Sequence, residues 1–118
     1  MRALIKRQLT VSIVVSAMLF ALFPSPALAA IPGAPTGLVA TPANASAVLT
    51  WAAPASDGGE AISTYNVEYS LDNGITFSTV VRPASVALTY TVSGLTNGMK
   101  YLFRVSAVNN SGAGPAST

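Results

Sequence analysis

The chain of 118 residues contains no cysteine and no histidine. Without cysteine there are no disulfides, on which small exported domains often depend, and no thiolate ligands for a metal ion. Without histidine, no side chain ordinarily titrates near neutral pH to serve as a general base. We therefore expect a non-enzymatic protein with no metal ion and no cofactor, stabilised by packing alone.

Charged residues are also scarce, at 8% of the chain, and half of the six basic residues lie at its start. These three are Arg2, Lys6 and Arg7. An apolar run over residues 9–23 follows, and it ends before Pro24 and Pro26. The small residues of Ala27-Leu28-Ala29 come next. This order of basic, apolar and small-residue regions is typical of a secretory signal peptide.

The sequence thus predicts a signal peptide over residues 1–29, cleaved after Ala29 or Ala30. A retained membrane anchor is the alternative, but a spanning helix needs about 20 apolar residues and this run is shorter. Because Lys6-Arg7 is not a twin-arginine pair, we expect the general secretory route. The mature protein is expected to be secreted and to have no contact with the membrane.

Removal of the signal peptide turns an apparently basic chain into a mildly acidic one. The remaining charged residues are Arg82, Lys100, Arg104, Asp57, Glu60, Glu68 and Asp72, which give a formal charge of −1. No basic patch remains to neutralise phosphates, so the charge excludes a nucleic-acid partner. About 89 residues are left, enough for one domain.

Apolar residues of this remainder recur with period two, the period of a half-buried strand. The alternation predicts strands over residues 37–41, 46–51, 63–70, 76–81, 87–93 and 100–109, after an extended lead-in over residues 30–35. Turn sequences such as Asp72-Asn73-Gly74 separate the strands. Short strands at this spacing indicate an all-β sandwich or barrel.

Several segments, taken in order, also resemble a known family. They are Ala34-Pro35-Thr36-Gly37-Leu38, Val48-Leu49-Thr50-Trp51, Ile62-Ser63-Thr64-Tyr65-Asn66-Val67-Glu68-Tyr69, Tyr101-Leu102-Phe103-Arg104-Val105-Ser106-Ala107-Val108-Asn109 and Gly112-Ala113-Gly114-Pro115. Together they resemble a fibronectin type III domain of a secreted bacterial protein. The resemblance implies an immunoglobulin-like β-sandwich over residues 36–118. The absence of cysteine favours this family over true immunoglobulin domains, whose tryptophan packs on a disulfide.

The family has seven strands, whereas the alternation predicts only six. The last strand should follow Pro115, so the domain is expected to lack it and to leave the edge of residues 100–109 open. Such an edge is a template for another strand. A fragment of a longer protein is the favoured explanation, and a strand lent by another molecule or a marginally stable module are the alternatives.

The pattern and the resemblance assign a structural core to Leu49, Trp51, Tyr65, Val67, Leu95, Tyr101 and Val105. A sugar-stacking platform is the alternative role for Trp51, but it shares a strand face with Ala47 and Leu49, which favours the core. The resemblance implies that the Tyr101 hydroxyl bonds the backbone near Leu95.

Two kinds of surface site remain as candidates. Asp57 and Glu60 share a loop and could form a glycosidase-like carboxylate pair, although turn-forming and solubilising roles are favoured. Asn44 and Asn109 each begin an Asn-x-Ser pattern, which is frequent by chance.

Three functional hypotheses follow. The favoured one is a non-catalytic extracellular module that acts as a spacer or binds an unknown protein or polysaccharide weakly at the cell surface. The second is the amino-terminal piece of a secreted modular enzyme such as a polysaccharide hydrolase. The third is a self-associating protein that pairs strands at the open edge of residues 100–109.

Overall fold

The computed structural model describes residues 28–117, so most of the predicted signal peptide lies outside the described residues. All regular secondary structure in this part of the chain is β. The strands are β1 (Thr36–Ala43), β2 (Ser46–Ala52), β3 (Thr64–Ser70), β4 (Ser78–Thr79), β5 (Thr89–Ser93), β6 (Leu102–Asn109) and β7 (Gly112–Ala116). Over residues 28–117 there is no helix of a length and hydrophobicity that would let it cross a membrane.

The strands form two antiparallel sheets that pack face to face. One sheet has the order β1-β2-β5, and the other has the order β4-β3-β6-β7. Burial alternates along β2 and the first part of β3, where Ala47, Leu49, Trp51, Tyr65 and Val67 face the interior, as in other sandwiches. The prediction of an all-β, immunoglobulin-like sandwich is therefore confirmed.

The prediction that the last strand is missing is wrong. Residues 112–116 form β7, which pairs with β6 through Asn109 opposite Gly112 and Ser106 opposite Ala116. Ser117 extends the contact, because its N–H donates to the Val105 carbonyl at 2.8 Å. The expected open edge of 100–109 is thus covered from Val105 to Asn109. Alternation could not reveal β7, since its sequence is Gly-Ala-Gly-Pro-Ala and glycine and proline are tolerated mainly at sheet edges.

The other strands differ from the sequence prediction mainly at the sheet edges. The strand predicted over residues 76–81 is shortened to Ser78–Thr79, because only these two residues form register pairs with β3, although the Val80 N–H still donates to the Val67 carbonyl at 2.8 Å. The strand predicted over 87–93 begins at Thr89, and β6 begins at Leu102 rather than at residue 100. These strands begin where residues have a hydrogen-bonding partner on the adjacent strand, and composition alone does not show where that is.

The core lies between the sheets and consists mainly of β2, β3 and β6 side chains. Its buried members are Leu49, Trp51, Tyr65, Val67, Val92, Val105 and Ala107. The rings of Trp51 and Tyr65 meet edge to face, with centroids 5.5 Å apart. Full burial of each large apolar side chain contributes roughly 1.5–3 kcal/mol, so this cluster supplies much of the stability that disulfides give to other small domains.

The loops gather at the two ends of the sandwich, which we name the amino-terminal pole and the opposite pole. The amino-terminal pole comprises the lead-in (30–35), the loop 53–63 and the turn 110–111. The opposite pole comprises the turn 44–45, the loop 71–77 and the loop 94–101.

The lead-in lies at the amino-terminal pole, and the last strand runs towards the opposite pole. The lead-in bonds the loop 53–63, with Gly33 N–H donating to the Ser56 carbonyl at 2.9 Å. β7 begins beside Asn109 and reaches Ala116 opposite Ser106, so it runs towards the Leu102 end of β6. Leu102 pairs with Ser70, the last residue of β3, at the opposite pole.

Candidate functional site

The structure places Trp51 inside the sandwich, where it has no free face for a sugar. Its side chain is 6% exposed, and no hydrogen bond reaches its indole N–H. Leu49, Tyr65, Val67 and Val105 are equally buried, and burial raises the pKa of Tyr65 above its ordinary value. These five residues of the predicted core are thus structural in position.

Leu95 and Tyr101, the other two predicted core residues, lie at the rim of the core and are partly buried. The Tyr101 hydroxyl accepts a hydrogen bond from the Thr96 N–H at 2.9 Å, one residue after Leu95. Leu95 N–H in turn donates to the Ala45 carbonyl at 2.9 Å, which ties the loop 94–101 to the turn between β1 and β2. Leu95 and Tyr101 therefore stabilise the loop 94–101 and its contact with the turn 44–45 at the opposite pole.

A shallow groove of about 330 Å³ lies beside Leu95 and Tyr101 at the opposite pole. Its apolar lining includes Pro42, Ala47, Leu95, Met99, Tyr101 and Phe103. Polar groups stand at its rim, among them Asn97, whose side chain accepts from the Ala45 N–H at 2.9 Å. The volume is at the lower end of the range for small-molecule sites, so the groove is suited to a small or weakly held ligand.

The two carboxylates considered as a glycosidase pair serve their own loop and its neighbour. Asp57 Oδ1 accepts from the Gly59 N–H at 2.9 Å, which closes a local turn. Glu60 Oε1 lies 3.5 Å from the Ser111 hydroxyl, across the amino-terminal pole. The arrangement supports the turn-forming role. Over residues 28–117, no three side chains of His, Cys, Asp or Glu gather as they would to hold a metal ion.

Asp72 organises the turn between β3 and β4. Its carboxylate accepts from the Thr76 hydroxyl, from the Thr76 N–H at 2.8 Å and from the Ser70 hydroxyl at 2.7 Å. Bonds from the Thr76 side chain, then from its backbone, lower the pKa of Asp72 to about 2. Asn73 and Gly74 follow with φ of 62° and 91°, the left-handed values that this turn requires.

An ion pair stands on the outer face of the four-stranded sheet. Arg104 Nε and Nη2 donate to the two Glu68 oxygens at 3.1 and 3.2 Å, across the β3–β6 pair. The Arg104 guanidinium also lies 3.8 Å from the centre of the Phe77 ring. A partly exposed ion pair of this kind contributes little to the free energy of unfolding. We therefore assign it the role of holding the Arg104 side chain in place on this face.

Asn109 is the residue whose role the sequence did not reveal. It is 4% exposed, and its Nδ2 donates to the Ala30 carbonyl at 2.7 Å and to the Asp57 carbonyl at 2.8 Å. Its Oδ1 accepts from the Ser111 N–H at 2.8 Å. Asn109 thereby joins the lead-in, the loop 53–63 and the turn after β6. The only sequence signal was its place at the end of a strand before a turn.

The same contacts distinguish the two Asn-x-Ser patterns. The Asn109 amide nitrogen that a glycan would modify is buried and makes two hydrogen bonds. Asn44 instead lies exposed in the turn between β1 and β2, where its Oδ1 accepts from Asn97 Nδ2 at 2.9 Å. Of the two, only Asn44 is therefore accessible in the folded domain.

The family model for the fibronectin type III domain matches residues 33–118. Titin of Drosophila melanogaster is 38% identical over 74 residues, which are 62% of this chain and, to the nearest per cent, 0% of titin. The likeness to animal proteins leaves the expected bacterial origin a prediction.

Solved structures agree with this match. Titin kinase with its flanking domains, and domains A168–A170 of titin, each share 34% identity over 76% of this chain with a TM-score of 0.69. The twitchin kinase region from C. elegans shares 27% over 74% of the chain, with a TM-score of 0.67. The chain spans only 16%, 30% and 15% of these structures. The chain belongs to the fibronectin type III family.

Proposed function

We propose that this chain is an exported, non-catalytic module that holds its neighbours apart and binds a protein or polysaccharide weakly at the cell surface. The observation that carries the spacer role is the path of the chain. The lead-in is fixed at the amino-terminal pole, and β7 runs towards the opposite pole. A module with this path separates whatever precedes it from whatever follows it.

The length of the separation follows from the strands. β6 has eight residues, which at about 3.3 Å per residue span roughly 26 Å from pole to pole. One strand of the three-stranded sheet and two of the four-stranded sheet are paired on both sides, so the span is a property of paired strands rather than of a loop. A spacer of this kind has a more fixed length than a flexible linker does.

Joining two copies head to tail tests the spacer role. We expect the maximum dimension measured by small-angle X-ray scattering to approach twice that of one copy. As a control, the same two copies joined by a long glycine-serine linker should give a broader distance distribution. If the directly joined copies fold against each other and give little more than the dimension of one copy, the spacer proposal fails.

The groove at the opposite pole supports the binding role. Its lining of Pro42, Leu95, Met99 and Tyr101 offers apolar contacts, with polar groups at the rim.

Titration of the isotope-labelled protein with soluble polysaccharide fragments and with peptides tests the binding role. The NMR resonances of the groove residues should shift at millimolar ligand. Met99→Lys should abolish the shifts, whereas Val81→Lys, at a site that is 96% exposed and outside the groove, should not. Unchanged spectra with every ligand would contradict a binding role for this groove.

A second function has one observation in its favour. Two of the similar structures, titin kinase with its flanking domains and the twitchin kinase region, join modules to a kinase. By analogy, the chain is the amino-terminal piece of a secreted modular enzyme such as a polysaccharide hydrolase. Reading the coding sequence downstream of Thr118 tests this second proposal. A catalytic domain in frame supports it, whereas a stop codon contradicts it and leaves the spacer role without a neighbour to hold apart.

A further inference from the structure

The contacts of the chain with the sandwich begin at Ala30. Its N–H donates to the Gly58 carbonyl at 2.8 Å, and its own carbonyl accepts from Asn109 Nδ2 at 2.7 Å. Leu28, two residues earlier, is 91% exposed, and within residues 28–117 no hydrogen bond joins it or Ala29 to the rest of the chain. The folded unit therefore begins at Ala30 rather than at the first strand.

The lead-in is also held by close packing between the loop 53–63 and β7. A Cβ on Gly58 would lie 2.0 Å from the Ala30 oxygen, and a Cβ on Gly114 would lie 2.1 Å from the Pro32 oxygen. Pro32 is fully buried between them. Only glycine at these two positions lets the lead-in approach so closely.

From these contacts we infer that cleavage after Ala29 produces an amino terminus that is built into the sandwich. The inference rests on the proposed export, because it requires a membrane-bound signal peptidase. Water supplies a hydroxyl to the Ala29 carbonyl carbon and a proton to the Ala30 nitrogen as the bond between them breaks. The carboxyl group of Ala29 then releases its proton and the amino group of Ala30 takes one up, so Ala29 leaves as a carboxylate and Ala30 carries an ammonium group where its amide stood.

The new ammonium group retains the bond that the amide makes. It donates to the Gly58 carbonyl, now as a charge-assisted hydrogen bond, and the Ala30 carbonyl still accepts from Asn109. Cleavage one residue later removes both bonds and leaves the Gly58 carbonyl and one Asn109 N–H without these partners. The two cleavage positions that the sequence left open thus differ in what they leave on the folded protein.

The first experiment exports the full chain and determines the mature terminus by intact mass. The expected terminus is Ala30. The double variant Leu28→Ala/Ala29→Leu moves the pair of small residues one position along the chain, so cleavage should then leave Ile31 first. Loss of two hydrogen bonds should lower the Tm of that form by roughly 8–16 °C, at about 4–8 °C for each bond in a domain of this size. A wild-type terminus other than Ala30, or equal Tm values for the two forms, would overturn the inference.

The second experiment tests the contact without relying on export. Gly58→Ala and Gly59→Ala both place a side chain at positive φ, 78° and 88°, but nothing lies within 4 Å of a Cβ at Gly59. Both variants carry similar backbone strain, so a lower Tm for Gly58→Ala than for Gly59→Ala isolates the contact with Ala30. Equal Tm values would show that the lead-in is not held by the sandwich. A chain that stays unprocessed but shows this difference would contradict the proposed export and the cleavage while upholding the contact.

Discussion

Single polar side chains complete the hydrogen bonding at the ends of this sandwich, where the strand ladders stop. Tyr101 accepts the Thr96 N–H at one pole, and Asn109 donates to two carbonyls at the other. The tyrosine could be expected from its family resemblance. The asparagine could not, because its partner Ala30 lies 79 residues away in sequence and alternation carries no information about such contacts.

The turn around Asp72 gives a prediction for acid pH. Its pKa is lowered from 3.8 to about 2 in the folded protein, so the group stabilises the fold above pH 4 and loses that contribution as pH falls towards 2. NMR titration of the side-chain carboxyl carbon should give a midpoint near pH 2. Asp72→Asn should remove this part of the acid dependence of unfolding, whereas a wild-type midpoint near 3.8 would refute the proposed role of Thr76.

Arg82 gives a second prediction, because it links β3 to β5 across the side of the sandwich. Its Nη1 donates to the Tyr65 carbonyl at 2.7 Å, and its guanidinium lies 4.6 Å from the centre of the Tyr90 ring. Arg82→Ala should therefore reduce the free energy of unfolding by about 1–3 kcal/mol in urea denaturation. Lys100→Ala is the matched control, since its exposed bond to Asn73 should cost less than about 0.5 kcal/mol. Equal losses for the two variants would show that Arg82 makes no such link.

Among the elements, the central strands were the most predictable. β2, β3 and β6 each pair on both sides, and each places apolar side chains in the core, such as Leu49 and Trp51 at alternate positions of β2, so the pattern is visible in sequence. β4 and β7 are edge strands with one neighbour each. Their extent depends on pairing across the sheet, and the small residues of β7 carry no alternation of hydrophobicity.

The end of β7 is held by a side chain, which gives a third prediction. Ser117 is 6% exposed, and its hydroxyl accepts from the Val105 N–H at 3.0 Å. Ser117→Ala leaves this buried N–H without a partner and should cost about 1–3 kcal/mol of unfolding free energy. Ser78→Ala, on the exposed edge strand β4, should cost less than about 0.5 kcal/mol. If both variants unfold at the same urea concentration, Ser117 does not hold β7 against β6.

For the whole molecule, the sequence predicted the fold class and the buried centre but not the number of strands or the joint at the amino-terminal pole. Fold class follows from alternation and turns, which are local properties. The seventh strand and the docked lead-in depend on contacts between distant segments, such as Gly114 beside Pro32. The proposed spacer role depends on those same contacts, because they fix the lead-in at the amino-terminal pole and direct β7 towards the opposite pole.

The central claim is that the lead-in and all seven strands form one cooperative unit that begins at Ala30. Scanning calorimetry of residues 30–118 tests it most directly. We expect a single transition whose calorimetric and van't Hoff enthalpies agree, at about 60 kcal/mol for a domain of this size near 60 °C. A protein that shows no transition, or that gains one only when residues are added after Thr118, would contradict the claim.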